Sequence, residues 1–285
     1  ETVTTSLALF KITLPISALT KLLTDLGATA VFGDVLAPLM GLFGLPGEMG
    51  LVWASAMITN LYGGLSVFAT LPQGHALTVA QISVLTTMML MAHGLPVEMM
   101  IARKAGVRLR CSLFVRAGGA VLAGISLHAI YQWSGGLQQQ NVALWTPPQI
   151  SSDWLGWGMA QLQNMLSITL VIFLLLVVMR ILEKIGVIAL LTRCLRPALA
   201  VFGMSPAAAP VTMIGMFLGL SYGGGLIIQE AKSGHLAPQE IVLSLCLMGM
   251  CHSLIEDTLL MGVVGGHWTA ILLGRVVVSL CVVFA

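Results

Sequence analysis

Ionisable side chains interrupt two otherwise apolar stretches of the chain, MMLMAHGLPVEMM and LMGMCHSLIEDTLL. They are His93, Glu98, His252, Glu256 and Asp257. A central aspartate in a membrane helix costs roughly 2.5–3.5 kcal/mol even by the lower estimates, so such residues face a bundle interior, where they pair or function. Carboxylates bind protons and cations, and histidine titrates near physiological pH. The five side chains therefore predict a polar centre that binds a coupling proton or cation.

The local spacing refines this prediction. His252 and Glu256 are four residues apart, so in a continuous helix they share one face, with Asp257 turned partly aside. In the first stretch Pro96 removes a backbone donor and favours a kink close to His93. If the two helices cover about 78–103 and 238–262, both histidines lie near the middle of the membrane.

Two alternatives to a coupling site stay open for these residues. A buried histidine–carboxylate pair locks helices together without any further role. A transition metal site is the second alternative, because His93, Glu98, Cys251, His252 and Glu256 offer nitrogen, oxygen and sulfur ligands. No dense His or Cys spacing accompanies them, so the metal ligands remain unknown.

The elements that position these residues must be membrane helices. The chain has 285 residues, of which 58% are hydrophobic and 8% charged, whereas soluble domains carry about 25% charged residues. Several apolar runs approach the roughly 20 residues that cross a bilayer. A net charge of +2 without a basic run gives no support for a nucleic-acid partner. The five cysteines lack CxxC spacing, so no disulfide or zinc framework is expected.

The chain also repeats itself. LAPLMGLFG and LRPALAVFG are separated by 159 residues, and the same offset relates His93 to His252, Glu98 to Asp257 and Arg116 to Arg275. We expect the two arginines to pair with the carboxylates or to bind an anion. The predicted division is a first copy at 1–131, an extracytoplasmic or interfacial linker at 132–162 and a second copy at 163–285.

Charge indicates how the two copies are oriented. One model gives each copy three spans, an amphipathic helix and a re-entrant hairpin. In this model the loops on one membrane side carry acidic and no basic residues, and the loops on the other side carry the basic residues. Cytoplasmic loops are enriched in Lys and Arg, so this inverted arrangement is favoured over four parallel spans. The acidic side holds Asp25, Asp34, Glu48 and Asp153, and the basic side holds Arg103, Lys104, Arg108, Arg110, Lys184, Arg193, Arg196 and Lys232.

Matched glycine motifs, NLYGGL and LSYGGGL, interrupt an apolar segment in each copy. Consecutive glycines permit a tight turn, and paired interrupted segments are the best sequence pointer to a transporter's central site. Alternatively, the glycines let helices pack closely. We expect the motifs to bind substrate through Asn60, Tyr62, Gly63, Gly64, Ser221, Tyr222, Gly223 and Gly224.

The pattern FGLPGEMGLVWASAMITNLYGGL, with its second version FGMSPAAAPVTMIGMFLGLSYGGGL, resembles the nucleoside-recognition or "gate" domain. That domain occurs in spore-maturation-type proteins, in the membrane part of the ferrous iron permease and in concentrative nucleoside transporters. The resemblance implies a multi-pass bacterial inner-membrane protein with inverted repeats and re-entrant hairpins. The chain lacks the GTPase domain of the iron permease and the polar Gln-Thr-Glu hairpin signature of the nucleoside transporters, so the resemblance does not establish a nucleoside ligand.

Together these features predict an all-α integral membrane protein that acts as a secondary transporter of a small polar solute, nucleoside-like or not, coupled to a proton or cation. Its partners would be the solute, the coupling ion and the lipid bilayer, and the apolar third helices allow a homo-oligomer. The alternatives are a non-transporting scaffold or accessory subunit and a divalent metal ion permease. An enzyme is not expected, because no nucleophile motif, HExxH sequence or phosphate loop is present, and no cofactor is expected.

Overall fold

The computed structural model describes residues 2–71, 76–145, 153–201 and 203–284, and this part of the chain is almost entirely helical, with no β-strand. The helices of the first half are α1 (Thr2–Asp25), α2 (Ala28–Gly41), α3 (Met49–Ile58), α4 (Leu61–Thr70), α5 (Val79–Met91), α6 (Leu95–Lys104) and α7 (Leu109–Ser134). Those of the second half are α8 (Trp154–Lys184), α9 (Val187–Val201), α10 (Ala208–Leu218), α11 (Leu220–Ser233), α12 (Pro238–Cys251), α13 (Glu256–Val264), a π-helical segment (Thr269–Gly274) and α14 (Arg275–Phe284).

The lengths of the helices place the chain in a membrane. Val79–Lys104, Leu109–Ser134, Trp154–Lys184 and Pro238–Val264 are long and apolar enough to cross a bilayer. A fifth span results if α1 and α2, which meet at an angle of 93°, count as one bent pair. The protein is therefore an all-α, multi-pass integral membrane protein, as the composition predicted.

Short polar signals set the helix boundaries. Thr78 accepts a hydrogen bond from the backbone of Gln81, and the Gln81 side chain accepts one from Thr78 N, which together start α5. Asp153 accepts a bond from Gly156 N and starts α8. Because of this cap, α8 covers part of the predicted linker 132–162, whose residues 146–152 lie outside the described part of the chain.

The two halves repeat one another in backbone conformation as well as in sequence. Each half has left-handed residues 159 positions apart, namely Gly27 and Gly186, Gly44 and Gly203, Gly94 and Ser253, and Gly106 and Gly265. The long helix of each half is broken at the same place, between α5 and α6 and between α12 and α13. Since left-handed residues end helices or turn the chain, the matched set indicates that the halves follow the same path.

Contacts at one end of the molecule show that the halves run in opposite directions. Asn141 N donates to Leu77 O at 3.0 Å, just before α5 begins. The Asn141 side chain donates to Val264 O at 3.0 Å, where α13 ends. The start of one broken helix and the end of the other therefore lie side by side. Likewise, the end of α7 meets the start of the π-helical segment, where Tyr131 Oη lies 3.4 Å from Thr269 Oγ1. The predicted inverted arrangement is confirmed.

Each half also contains a hairpin of two short helices, α3 with α4 and α10 with α11. The hairpins turn at Thr59–Asn60 and at Gly219, whose φ is 91°. The prediction that the consecutive glycines form the turns is wrong, because they lie inside α4 and α11, within the first two turns of each helix. A Cβ on Gly223 would lie 2.2 Å from the Cα of Gly215, so glycine is needed there for close packing of α10 against α11.

Candidate functional site

The candidate site forms where the two long helices break. Helix α5 ends at Met91, and Gly94, with φ 57°, turns the chain into α6. Helix α12 ends at Cys251, and His252 is extended, with ψ 162°. A break leaves the last carbonyls of the preceding helix without partners in that helix. Both predicted histidines lie at these breaks.

Each histidine is held by its own preceding helix. His93 Nδ1 lies 2.9 Å from Met89 O, and His252 Nδ1 lies 3.1 Å from Met248 O. The two Nε2 atoms face one another at 3.0 Å, and both side chains are buried. The matched histidines of the two halves therefore meet directly, as the prediction of a common polar centre required.

This geometry constrains the protonation of the two rings. A carbonyl oxygen only accepts hydrogen bonds, so each Nδ1 must carry the proton that it donates. In the neutral rings both Nε2 atoms then present lone pairs toward one another. Two lone pairs at this distance repel unless a positive particle lies between them, either a shared proton or a metal ion.

Glu98 completes the cluster from the first turn of α6. Its Oε1 lies 3.4 Å from His252 Nε2 and 3.8 Å from His93 Nε2. Its other oxygen, Oε2, forms an ion pair of 2.5 Å with Arg116 Nη1. The Glu98 carboxylate packs against Gly94, and a larger residue there would crowd it, because a Cβ on that glycine would lie 3.2 Å from Glu98 Oε1. His93, His252 and Glu98 each offer one ligand atom, and these atoms lie within 4.8 Å of one another.

Two fully buried arginines support the breaks. Arg116 Nε donates to Met91 O at 3.2 Å, and Arg275 Nε donates to Met250 O at 2.8 Å. Arg275 Nη2 donates in addition to His252 O at 2.8 Å. The arginines therefore occupy carbonyls that the helix ends leave free. The sequence predicted that these arginines meet carboxylates or an anion; Arg116 does pair with Glu98, but the backbone role was missed. The sequence feature that indicated a shared structural role was the position of both arginines in apolar helices, 159 residues apart.

The remaining two acids lie outside this cluster. Asp257 and Glu98 occupy equivalent backbone positions after the two breaks. Asp257 N donates a hydrogen bond to Ser253 O, and Glu98 N donates one to Gly94 O in the same way. Its Oδ2 is buried and has no hydrogen-bond partner among the described residues. The prediction that His252 and Glu256 share a helix face is wrong, because the chain between them is unwound and Glu256 begins a new helix.

The tips of the hairpins dock on the two breaks. Gly94 N donates to Ala56 O at 2.9 Å in the first half, and Leu254 N donates to Met216 O at 2.8 Å in the second. A Cβ on Gly219 would lie 2.8 Å from Ser253 Oγ. Both hairpins therefore reach the depth of the histidine pair.

The predicted substrate residues of these hairpins take several roles. Asn60 caps α4 by accepting a hydrogen bond from Gly63 N at 2.9 Å. Tyr62 faces α13 and lines a small apolar cavity with Trp145 and Leu260. Close contacts occupy Gly63, Gly64, Gly223 and Gly224, and the side chains of Ser221 and Tyr222 lie outside the described part. Contact of these residues with a substrate stays a prediction.

The chain is similar to a protein of Bacillus subtilis (strain 168) named "Uncharacterized membrane protein YvoD". The two are 27% identical over 286 residues, which cover 99% of this chain and 90% of the relative. No known protein family matches the chain in a family scan. No solved structure matches it.

Proposed function

We propose that the protein is a secondary transporter that carries a small polar solute across a bacterial inner membrane. One observation carries the proposal: two oppositely directed broken helices meet at their breaks, around a buried cluster of His93, His252 and Glu98. Broken helices in inverted repeats bind substrates and coupling ions in many carriers, since their free backbone groups lie at the middle of the membrane.

The inverted arrangement also supports alternation between two openings. Because the halves follow the same path in opposite directions, a conformation that one half adopts toward one membrane side is available to the other half toward the opposite side. The hairpin tips at Ala56 and Met216 contact the breaks from their own halves, so movement of either hairpin would expose the centre from one side.

Access to the centre from both sides can be measured without knowing the solute. A cysteine at Ser253, beside the histidine pair, is placed in a chain whose native cysteines are replaced, and sealed vesicles of both orientations receive a membrane-impermeant thiol reagent. A transporter predicts labelling from each side. Asp34→Cys and Lys104→Cys, both at exposed positions, serve as controls. The inverted arrangement places them on opposite membrane sides, so each should label from one side only.

The scaffold alternative predicts a different result. A scaffold needs no alternating access, so Ser253→Cys would label from one side only, or from neither, while both controls behave as stated. That result would overturn the transport proposal. Labelling from both sides would support it.

A further inference from the structure

We infer that His93, His252 and Glu98 form a binding site for a divalent first-row transition metal ion, such as Zn²⁺, Fe²⁺ or Mn²⁺. The binding itself stands on the geometry alone. That the ion is also the carried solute rests on the proposed function.

The distances between the three ligand atoms fit such an ion. The Nε2 atoms are 3.0 Å apart, and Glu98 Oε1 lies 3.4 Å and 3.8 Å from them. Zinc binds nitrogen and oxygen at about 2.0–2.1 Å, so tetrahedral ligands lie roughly 3.3 Å from one another. The observed separations bracket that value. One ion therefore reaches all three atoms with only small side-chain shifts.

The surroundings hold the ligands in the orientation that metal binding needs. Metal-bound histidines characteristically donate their other ring nitrogen to a carbonyl or carboxylate, and bound carboxylates are themselves hydrogen-bonded or paired. His93 and His252 donate through Nδ1 to Met89 O and Met248 O, and Glu98 Oε2 pairs with Arg116. Each ligand is therefore already fixed, with its free lone pair aimed at one point.

The charges around this point are compatible with a bound cation. Arg116 and Arg275 contribute two positive charges, whereas Glu98, Glu256 and Asp257 contribute three carboxylates when ionised. These five groups sum to −1, and a divalent ion changes the sum to +1, so the magnitude of the net charge is the same with and without the ion. The ion does remove the repulsion between the lone pairs of the two imidazoles.

The ligand types restrict which ions fit. Imidazole nitrogen suits zinc, iron, copper and nickel, and carboxylate oxygen suits manganese, whereas thiolates would select softer ions such as Cu(I). Cys251, a candidate ligand in the sequence, instead lies 3.1 Å from Ser279 Oγ through its sulfur. Glu256, a second candidate, is also outside the ligand group. The site therefore favours borderline divalent ions over Mg²⁺, Ca²⁺ and Cu(I).

The test begins with binding by the full chain, purified and stripped of metal with a chelator. Calorimetric titration with Zn²⁺, and anaerobically with Fe²⁺, is expected to give one bound ion per chain. Co²⁺ serves as a spectroscopic probe, whose absorption reports nitrogen and oxygen ligands in a tetrahedral site. His93→Gln, His252→Gln and Glu98→Gln are each expected to weaken binding by at least the roughly 10–100-fold that loss of an outer hydrogen-bond partner causes.

The matched control is His235→Gln. His235 also pairs with a glutamate, Glu230, at 3.2 Å, but its side chain is 72% exposed at the surface. The His235→Gln variant should therefore leave metal binding unchanged. If a cluster variant aggregates, pulsed electron paramagnetic resonance of Cu²⁺ bound to the wild-type chain still decides the question. The remote nitrogen of a coordinated imidazole gives a characteristic modulation, and a site without histidine ligands gives none.

Two results separate this inference from the proposed function. If no metal binds, or if His93→Gln and His252→Gln bind it as the wild type does, the metal site is overturned, and the thiol-access experiment still decides transport. If the ion binds at the cluster but proteoliposomes take up none of the tested ions, the site stands and the ion is not the carried solute. If proteoliposomes take up a metal ion and the cluster variants abolish this uptake, the result supports both the metal site and the transport proposal.

Discussion

Removal of the Arg116 side chain probes the energetics of the buried centre. Arg116→Met keeps an unbranched side chain of similar length but leaves Glu98 buried without its ion-pair partner. Breaking a buried pair by removing one partner costs about 3–5 kcal/mol. The lost hydrogen bond from Nε to Met91 O adds about 1.5–3 kcal/mol. We therefore expect one of the largest single-residue losses of stability in the chain.

The second substitution, Glu98→Gln, separates these two contributions. In the double variant no uncompensated charge remains, so about 3 kcal/mol or more should be recovered and only the loss of the bond to Met91 O should persist. The free energy of unfolding is measured by detergent denaturation in mixed micelles, with a chelator present so that bound metal does not contribute. Arg103→Met, at an exposed position, is the control for removing an arginine.

Two results would refute this reasoning. If Arg116→Met is no less stable than Arg103→Met, the ion pair does not contribute as described. If the double variant loses as much free energy as the sum of the two single variants, the charges at 98 and 116 are not coupled.

Three further predictions concern close packing, a helix cap and the orientation of the two halves. Gly223→Val places its Cβ 2.2 Å from the facing helix and should cost about 1–3 kcal/mol or more, whereas Gly225→Ala, which meets nothing within 4 Å, should be nearly neutral in thermal denaturation. Asn60→Ala removes a helix cap and should cost about 1 kcal/mol in the same assay; unchanged stability would refute the capping role. Reporter fusions after Asp34 and after Lys104 should report opposite compartments, and a shared compartment would contradict the inverted arrangement.

Much of the fold could be predicted from the sequence because the repeat was visible in it. The constant offset of 159 residues related His93 to His252, and the sorted charges indicated inversion. Inversion then places matched residues at equal distances from a common axis, so residues of broken helices that pack along this axis meet their counterparts. The two histidines meet at 3.0 Å because both broken helices pack at that axis.

The rest depended on where the helices break. Periodicity assumes a continuous helix, so it placed His252 and Glu256 on one face, whereas the chain unwinds between them. Glu98 joined the cluster and its counterpart Asp257 did not, a difference that arises from local packing and that the repeat alone does not distinguish. The backbone role of Arg275 depends on carbonyls that exist only because of the break.

The most direct test of the central claim is a cross-link between the two histidine positions. His93→Cys and His252→Cys are combined in a chain without its native cysteines, and a protease site is inserted in the connection between α7 and α8. After treatment with a short bifunctional thiol reagent and then protease, we expect the two halves to stay joined on a denaturing gel. His93→Cys with His235→Cys should not join them. Separation of the halves in the first pair would contradict the meeting of the two copies at a buried centre.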